Sequence, residues 1–345
     1  MLNNRGLSWG RRLGIFFLIS GITIGLVICA TSTTQTWDAL RHIEIKDILL
    51  LGALCGLMFL FDALRTLVLC TAIGHRIPFT YALKMILVGM FFGAITPLQL
   101  GMLPAEIYMM YKYDIPLGNA ISIDVIKRIS TMGILAIAGV IVLVTNSTFA
   151  SNKVLLYLYY YVIFFYLFVS FLFLGVYFFP KQTMWLVDKI LGYLHKRLVI
   201  KDYEVDRYVH GVADDYFNTL DLYLHKGRLG FFVALVIGCL FITTQFILAP
   251  VIIHGLGFKV SFMDAIQAQI ILLPMLYFSP TPGGSGVAEG GFALLFTSFI
   301  PTHLIGISVV LWRIFTTYIG VTLGVILTLG SINIDKVLHT SLTKR

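Results

Sequence analysis

Apolar runs bounded by charged and turn residues recur along the chain, near 12–31, 47–73, 116–145, 153–179, 229–254 and 303–330. A hydrocarbon core about 30 Å thick is crossed by a helix of about 20 such residues, so each run predicts one full transmembrane span. Two further apolar stretches, 79–113 and 262–301, are interrupted in the middle. Ile95-Thr96-Pro97-Leu98-Gln99-Leu100-Gly101 breaks the first, and Ser279-Pro280-Thr281-Pro282-Gly283-Gly284-Ser285-Gly286 breaks the second. Proline lacks the amide donor and clashes with the preceding turn, while glycine frees the backbone, so a helix must break at each. Both stretches read as helical hairpins whose tips lie inside the membrane. The predicted class is an all-α polytopic membrane protein with six full spans and two broken, re-entrant hairpins.

The pattern repeats. A shift of 185 residues lays Thr96, Pro97 and Gly101 on Thr281, Pro282 and Gly286, Arg128-Ile129 on Arg313-Ile314, and Gly139 on Gly324. A shift of 183 lays Gly74, Arg76, Phe79 and Ala82 on Gly257, Lys259, Phe262 and Ala265, and Glu106 on Glu289. Residues 47–145 and 229–330 thus form two units within a single transmembrane domain, joined by a linking span and a cytoplasmic amphipathic segment over 146–228. One odd span separates the units, so they are expected to have inverted topology, an architecture shared by many transporters.

Only 12% of the residues are charged, about half the share in soluble domains, which excludes an ordinary globular protein. The net charge of +8 is explained by placement rather than by nucleic acid. With the N-terminus inside, 16 of the 25 Lys and Arg fall in inner segments and four outside, the distribution of a protein with both termini in the cytoplasm. The expected location is the cell membrane. The first run, preceded by Arg11-Arg12, reads as an uncleaved signal-anchor helix. Cys29, Cys55, Cys70 and Cys239 all lie in apolar runs, and the eight His are scattered, so neither a disulfide framework nor a metal site is expected. No phosphate-loop or nucleophile-base motif is present, and no cofactor or catalytic function is expected.

The remaining charges lie within the apolar stretches. Arg128 and Arg313 fall roughly 15–18 Å into their helices, near the bilayer centre. A cation there costs at least about 2.5–3.5 kcal/mol and needs a partner or a watered cavity. Glu106 and Glu289, each just past a hairpin break, are the expected partners of Arg128 and Arg313. Two readings of these pairs stand together: bridges that hold the hairpins to the bundle, and direct contacts to a cargo. At the second tip, Gly283, Gly284, Ser285 and Gly286 would let a phosphate approach the free amides of a half-helix, although Gly286 and Gly290 also suit close helix packing. Asp62 and Arg65 are expected to neutralise each other, with Gln245 at the position matching Asp62. Lys127 is expected to snorkel or to pair with Asp124. Across 181–228, Trp185, Ile190, Leu191, Leu194 and Leu198 share a face with Lys189, Lys196 and Arg197 elsewhere, as in a helix lying on the cytoplasmic leaflet; the same face could bind a partner enzyme.

Thr96-Pro97, Gly101, Glu106 and Arg128, followed by the run 281–291 with Pro282, Gly283, Gly284, Gly286 and Glu289 and then Arg313, resemble the lysylphosphatidylglycerol synthase transmembrane region. This flippase-like domain forms the N-terminal part of the bacterial multiple peptide resistance factor and also occurs alone. The resemblance covers nearly the whole chain. The first motif departs from the family pattern, with Leu98-Gln99-Leu100 in place of a glycine-rich run. The resemblance implies translocation of a phospholipid or glycolipid with a modified or charged headgroup. The phosphate would be held by the 281–286 tip with Arg128 or Arg313, and any cationic moiety by Glu106 or Glu289. No aminoacyl-transfer domain accompanies the chain, so lipid synthesis is not expected. The alternatives are a non-transporting partner of a lipid or glycan synthase and a small-solute or ion carrier. Expected partners are membrane lipids, with such a synthase or a second copy of the chain as further candidates.

Overall fold

The computed structural model of the chain describes residues 9–31, 33–145, 153–198, 203–277 and 279–342, and all regular structure among them is helical. Among the described residues, five helices are long and apolar enough to cross a bilayer: Leu13–Thr31, Ile45–Ala72, Leu117–Val142, Arg228–Gly255 and Thr302–Gly330. They fall in α1 (Trp9–Thr31), α3 (Ile45–Ala72), α6 (Leu117–Thr145), α10 (Arg228–Gly255) and the paired α13 (Thr302–Arg313) and α14 (Ile319–Leu342). The sixth expected span is helical too, as α7 (Lys153–Phe178), but its described apolar stretch, Tyr159–Leu172, is shorter. A short α2 (Thr34–His42), which no apolar run marks, follows α1.

Both expected breaks are present. The first lies between α4 (Phe79–Ala94) and α5 (Met102–Lys112), the second between α11 (Phe262–Tyr277) and α12 (Val287–Phe296). Each opens on a proline that starts a single 3-10 turn, Pro97–Gln99 or Pro282–Gly284. The two turns share a backbone shape. Leu98 and Gln99 have φ of 56° and 53°, and Gly283 and Gly284, 185 positions on, have 59° and 67°. The ends of α3 and α10 match in the same way. The amide of His75 donates to Cys70 O at 3.0 Å, and that of Phe258 to Ile253 O at 3.2 Å. Gly74 (φ 89°) and Gly257 (φ 84°) supply the left-handed residue that this helix cap requires.

The most extensive interhelix packing joins α3 to α10, one from each half, and α4 packs in turn on α14. The two tips meet between them, where the amide of Leu98 donates to Ser279 O at 3.0 Å. The first run is more than an anchor. Phe16 and Ser20 of α1 are buried, and α1 lies against α12, α13 and the second tip. The expected span 303–330 is interrupted by a π-helical turn, Ile314–Tyr318, immediately after Arg313. Such turns concentrate at functional positions.

The segment after α7 folds as two helices rather than one surface helix. α8 (Pro180–Leu198) leaves Trp185, Leu186 and Ile190 exposed, with Lys189 Nζ 4.8 Å from the centre of the Trp185 ring. α9 (Tyr203–Leu224) instead packs on α6: Ser122 donates to Tyr216 O at 3.0 Å, and Tyr223 donates to Leu69 O of α3 at 2.7 Å.

Candidate functional site

The second half builds its charge pair as expected. Glu289, on the first turn of α12, is fully buried and lies 3.0 Å from Arg313 Nε. Its other oxygen accepts the Gly286 amide at 2.5 Å, so Glu289 caps its own helix. That contact corrects the expectation of a phosphate seat on the tip amides. Gly284 and Ser285 already donate to Thr281 O and Pro282 O, and Gly286 donates to Glu289. The hydroxyl of Thr281 donates to Ser285 O, and that of Ser285 lies 2.7 Å from the Ser20 hydroxyl. The amides of Gly284, Ser285 and Gly286 are thus taken within the tip, and α1 braces it. Arg313 is held further by the Tyr318 ring, 5.3 Å away, and by Gly283 O, which accepts from Nη2 at 3.4 Å.

The first half departs from expectation. Glu106 pairs with Lys127, not Arg128, at 2.8 Å, and Lys127 also reaches Asp62 at 3.5 Å. Arg128 is held by Asp124, one helical turn back, at 2.6 Å. Arg65 gives its hydrogen bonds not to Asp62 but to the Thr131 hydroxyl, the Ser130 hydroxyl and Lys127 O. Lys127 therefore neither snorkels nor pairs with Asp124. It is the buried centre of a network joining α3, α5 and α6. Glu106 fits there because α4 carries Gly89 opposite it, where a Cβ would meet Glu106 Oε1 at 2.9 Å. At the first tip, the Thr96 hydroxyl accepts the Gly101 amide at 2.8 Å and donates back to Phe92 O, closing the turn that Pro97 starts.

Between the tips and the α3–α10 pair lies a cavity of about 460 Å³. Arg128, Arg313 and Gly283 line it. Thr96, Pro97, Gly101, Thr281, Pro282, Gly284, Ser285 and Gly286 do not; they shape the tips behind it. Glu106 and Glu289 also stand behind the wall, so neither presents a carboxylate to a cargo. The wall instead carries Arg65, Lys127, Arg128 and Arg313 against one carboxylate, Asp62. Gln99 and Gln245 add amides, Thr131, Thr316 and Thr317 add hydroxyls, and Met58, Met90, Met102 and Phe241 are among its apolar members. Gln245 was legible as the polar match to Asp62. Gln99 was not, because nothing local marks a non-glycine residue held at positive φ.

The left-handed conformation costs Leu98 and Gln99 about 1–2 kcal/mol each, whereas Gly283 and Gly284 adopt it freely. Leu98→Gly is therefore expected to leave stability within about 1 kcal/mol, because relief of strain offsets the added chain entropy. The equivalent change, Gly283→Ala, is expected to cost about 1–3 kcal/mol, because its Cβ would lie 2.6 Å from the Phe16 ring. Thermal unfolding of the two variants in detergent checks the contrast.

Comparison with known proteins adds the family. The family model described as the lysylphosphatidylglycerol synthase TM region matches residues 14–324. The chain belongs to that family. A UPF0104 membrane protein of Archaeoglobus fulgidus is 26% identical over 325 residues, covering 90% of this chain and 94% of that protein. As a member of the lysylphosphatidylglycerol synthase transmembrane-region family with these apolar helices, the chain is a multi-pass membrane protein.

Proposed function

We propose that the protein is a flippase-like translocator that passes the polar headgroup of a phospholipid or glycolipid between leaflets while the acyl chains stay in lipid. The observation that carries this reading is the cavity of about 460 Å³ at the meeting of the two hairpin tips, with cationic side chains and apolar surface on one wall. A charged wall deep in a bundle is expensive unless something polar occupies it.

On this reading the units 47–145 and 229–330 are inverted-topology repeats, and the stretches 79–113 and 262–301 are re-entrant. The recurrence of positive φ at Gly74 and Gly257, and at the paired tip residues, supports a common backbone plan. Rocking of one half against the other about the α3–α10 contact would expose the cavity to each leaflet in turn. Thr96, Pro97, Gly101 and residues 281–286 shape the tips, and Arg128 and Arg313 meet the phosphate. Both termini face the cytoplasm of the cell membrane, and the exposed Trp185, Leu186 and Ile190 of α8 seat that helix on the inner leaflet.

The test is leaflet exchange of a headgroup-labelled phospholipid in vesicles reconstituted with the purified chain. Exchange is expected with the parental protein, and a loss of tenfold or more with Arg313→Ala and with Glu289→Gln. Parental rates in both correctly folded variants would remove the two residues from transport. Absence of exchange by the parental protein with every headgroup would remove the function.

A further inference from the structure

The cavity wall has a chemical bias that the flippase reading does not require. Its ion pairs are layered: Arg313 faces the cavity with Glu289 behind it, and Lys127 faces it with Glu106 behind. Arg128 lies on the wall with Asp124 at its back, and is the least buried of these cations, its side chain 29% exposed. The pairs neutralise one another in sum, but the positive member of each is the nearer one to a guest.

The hydrogen-bonding inventory points the same way. Among the described residues, three wall residues carry a buried N–H that finds no acceptor in the chain: Arg65 Nε, Trp312 Nε1 and Arg313 Nε. The Arg313 nitrogen is 3.0 Å from Glu289, but its hydrogen is not directed at that oxygen. These nitrogens are themselves shielded from the cavity, so what the wall offers a guest is the outer ends of its cationic side chains. None of the buried, unpartnered oxygens belongs to a residue of this wall. The ends of Arg65, Lys127, Arg128 and Arg313 donate and do not accept, so a hydrogen-bond acceptor suits this wall and a guest that brings further N–H donors and positive charge does not.

We infer that the cavity takes a phosphate group from a headgroup that is anionic overall, and discriminates against headgroups bearing an added ammonium, the aminoacylated phospholipids included. This inference rests on the headgroup reading of the site, which it narrows. Arginine supplies planar, paired donors suited to phosphate oxygens. A cationic headgroup group would meet Arg65, Lys127, Arg128 and Arg313 with only Asp62 to receive it. Of the expected ammonium receivers, Glu289 is committed through both oxygens, and Glu106 gives one oxygen to Lys127 and keeps the other buried behind the wall, away from a guest.

The experiment is competitive binding to the purified full-length chain, read by native mass spectrometry. Mixed micelles contain phosphatidylcholine with equal amounts of phosphatidic acid, phosphatidylglycerol and lysylphosphatidylglycerol. Retention of the two anionic lipids at least tenfold above the lysylated one is expected. Equal or preferential retention of the lysylated lipid overturns the inference, even if leaflet exchange is observed. Arg128→Ala would strand buried Asp124, so the informative variant is Arg128→Ala with Asp124→Asn, which removes a neutral pair. It is expected to lose the anionic preference, whereas Arg128→Lys keeps part of it; an unchanged preference in the double variant overturns the assignment of Arg128. A parallel arm adds inorganic phosphate alone. Thermal protection by phosphate with no lipid retained would uphold the anion chemistry and overturn the lipid reading. Retention of the anionic lipids without leaflet exchange would uphold the inference and overturn transport.

Discussion

Lys127→Met is expected to destabilise the protein by about 3–5 kcal/mol, the cost of leaving a buried ion pair with one member missing. Lys127 Nζ lies 2.8 Å from Glu106 and 3.5 Å from Asp62, and the three side chains are 7%, 1% and 9% exposed. Methionine keeps the volume of the lysine stem and its apolar contacts, so the change isolates the ammonium. Glu106 and Asp62 then lose the ammonium that joins them, and only the guanidinium groups of Arg65 and Arg128, each bonded elsewhere, remain nearby. Adding Glu106→Gln is expected to restore more than half of the loss, because it removes the more deeply buried of the two acids. Thermal unfolding of the single and double variants in one detergent measures the coupling. A single-variant cost below about 1 kcal/mol, the range of exposed pairs, would mean that the network is hydrated and does not hold α5 against α6.

This network also marks where the sequence stops being readable. Helix breaks were legible because proline and glycine act locally, and both breaks occur where Pro97 and Pro282 require them. Glu289 and Arg313 were legible as a pair because the second half offers them no rival partner nearby. In the first half Asp124 sits four positions before Arg128 on the same helix face, and that local contact takes the guanidinium. Lys127, one residue earlier and about 100° around α6, is thereby the residue that reaches Glu106. Which side of α6 meets the hairpin is settled by packing among α3, α5 and α6, and no spacing along the chain encodes it. The same holds for Asp62 and Arg65. Their spacing of three suggested a local pair, yet both turn toward α6 and bind different parts of it.

The two halves therefore divide the chemistry. Left-handed positions match at the tips and helix ends, while the charges on the cavity wall are concentrated in the first half. The second half contributes a single pair, a braced tip and a π turn that displaces the helix beyond Arg313 by one residue relative to an unbroken one. A cavity between such halves has one ion-rich side and one sparsely charged side. A headgroup crossing it would keep contact with cations from the first half while the second moves.

Gly324→Ala is expected to cost more than any other single methyl added along α14, about 3 kcal/mol, at the upper end of overpacking. A Cβ at Gly324 would overlap Leu87 O and stand 2.9 Å from both Leu87 C and Phe91 Cβ. Those are mainly backbone atoms of α4, which cannot turn aside as a side chain can, so α4 itself must move away from α14. Gly320, one turn earlier, is the internal control. Its added Cβ would meet mainly the flexible end of Met90, with the Phe59 ring at 3.1 Å. Alanine is the better helix former at both sites by about 1 kcal/mol, so Gly320→Ala is expected to fall within about 1 kcal/mol of the parental protein. The two substitutions add the same atom to the same helix and differ only in what it strikes. Displacement of α4 would also shift Gly93 and Ala94, which lie on the cavity wall next to the first tip. Gly324→Ala is accordingly expected to weaken lipid retention as well as lower the unfolding temperature, and Gly320→Ala to leave the unfolding temperature unchanged. Equal unfolding temperatures for the two variants would mean that α4 and α14 are not in the close backbone contact that fixes the first hairpin.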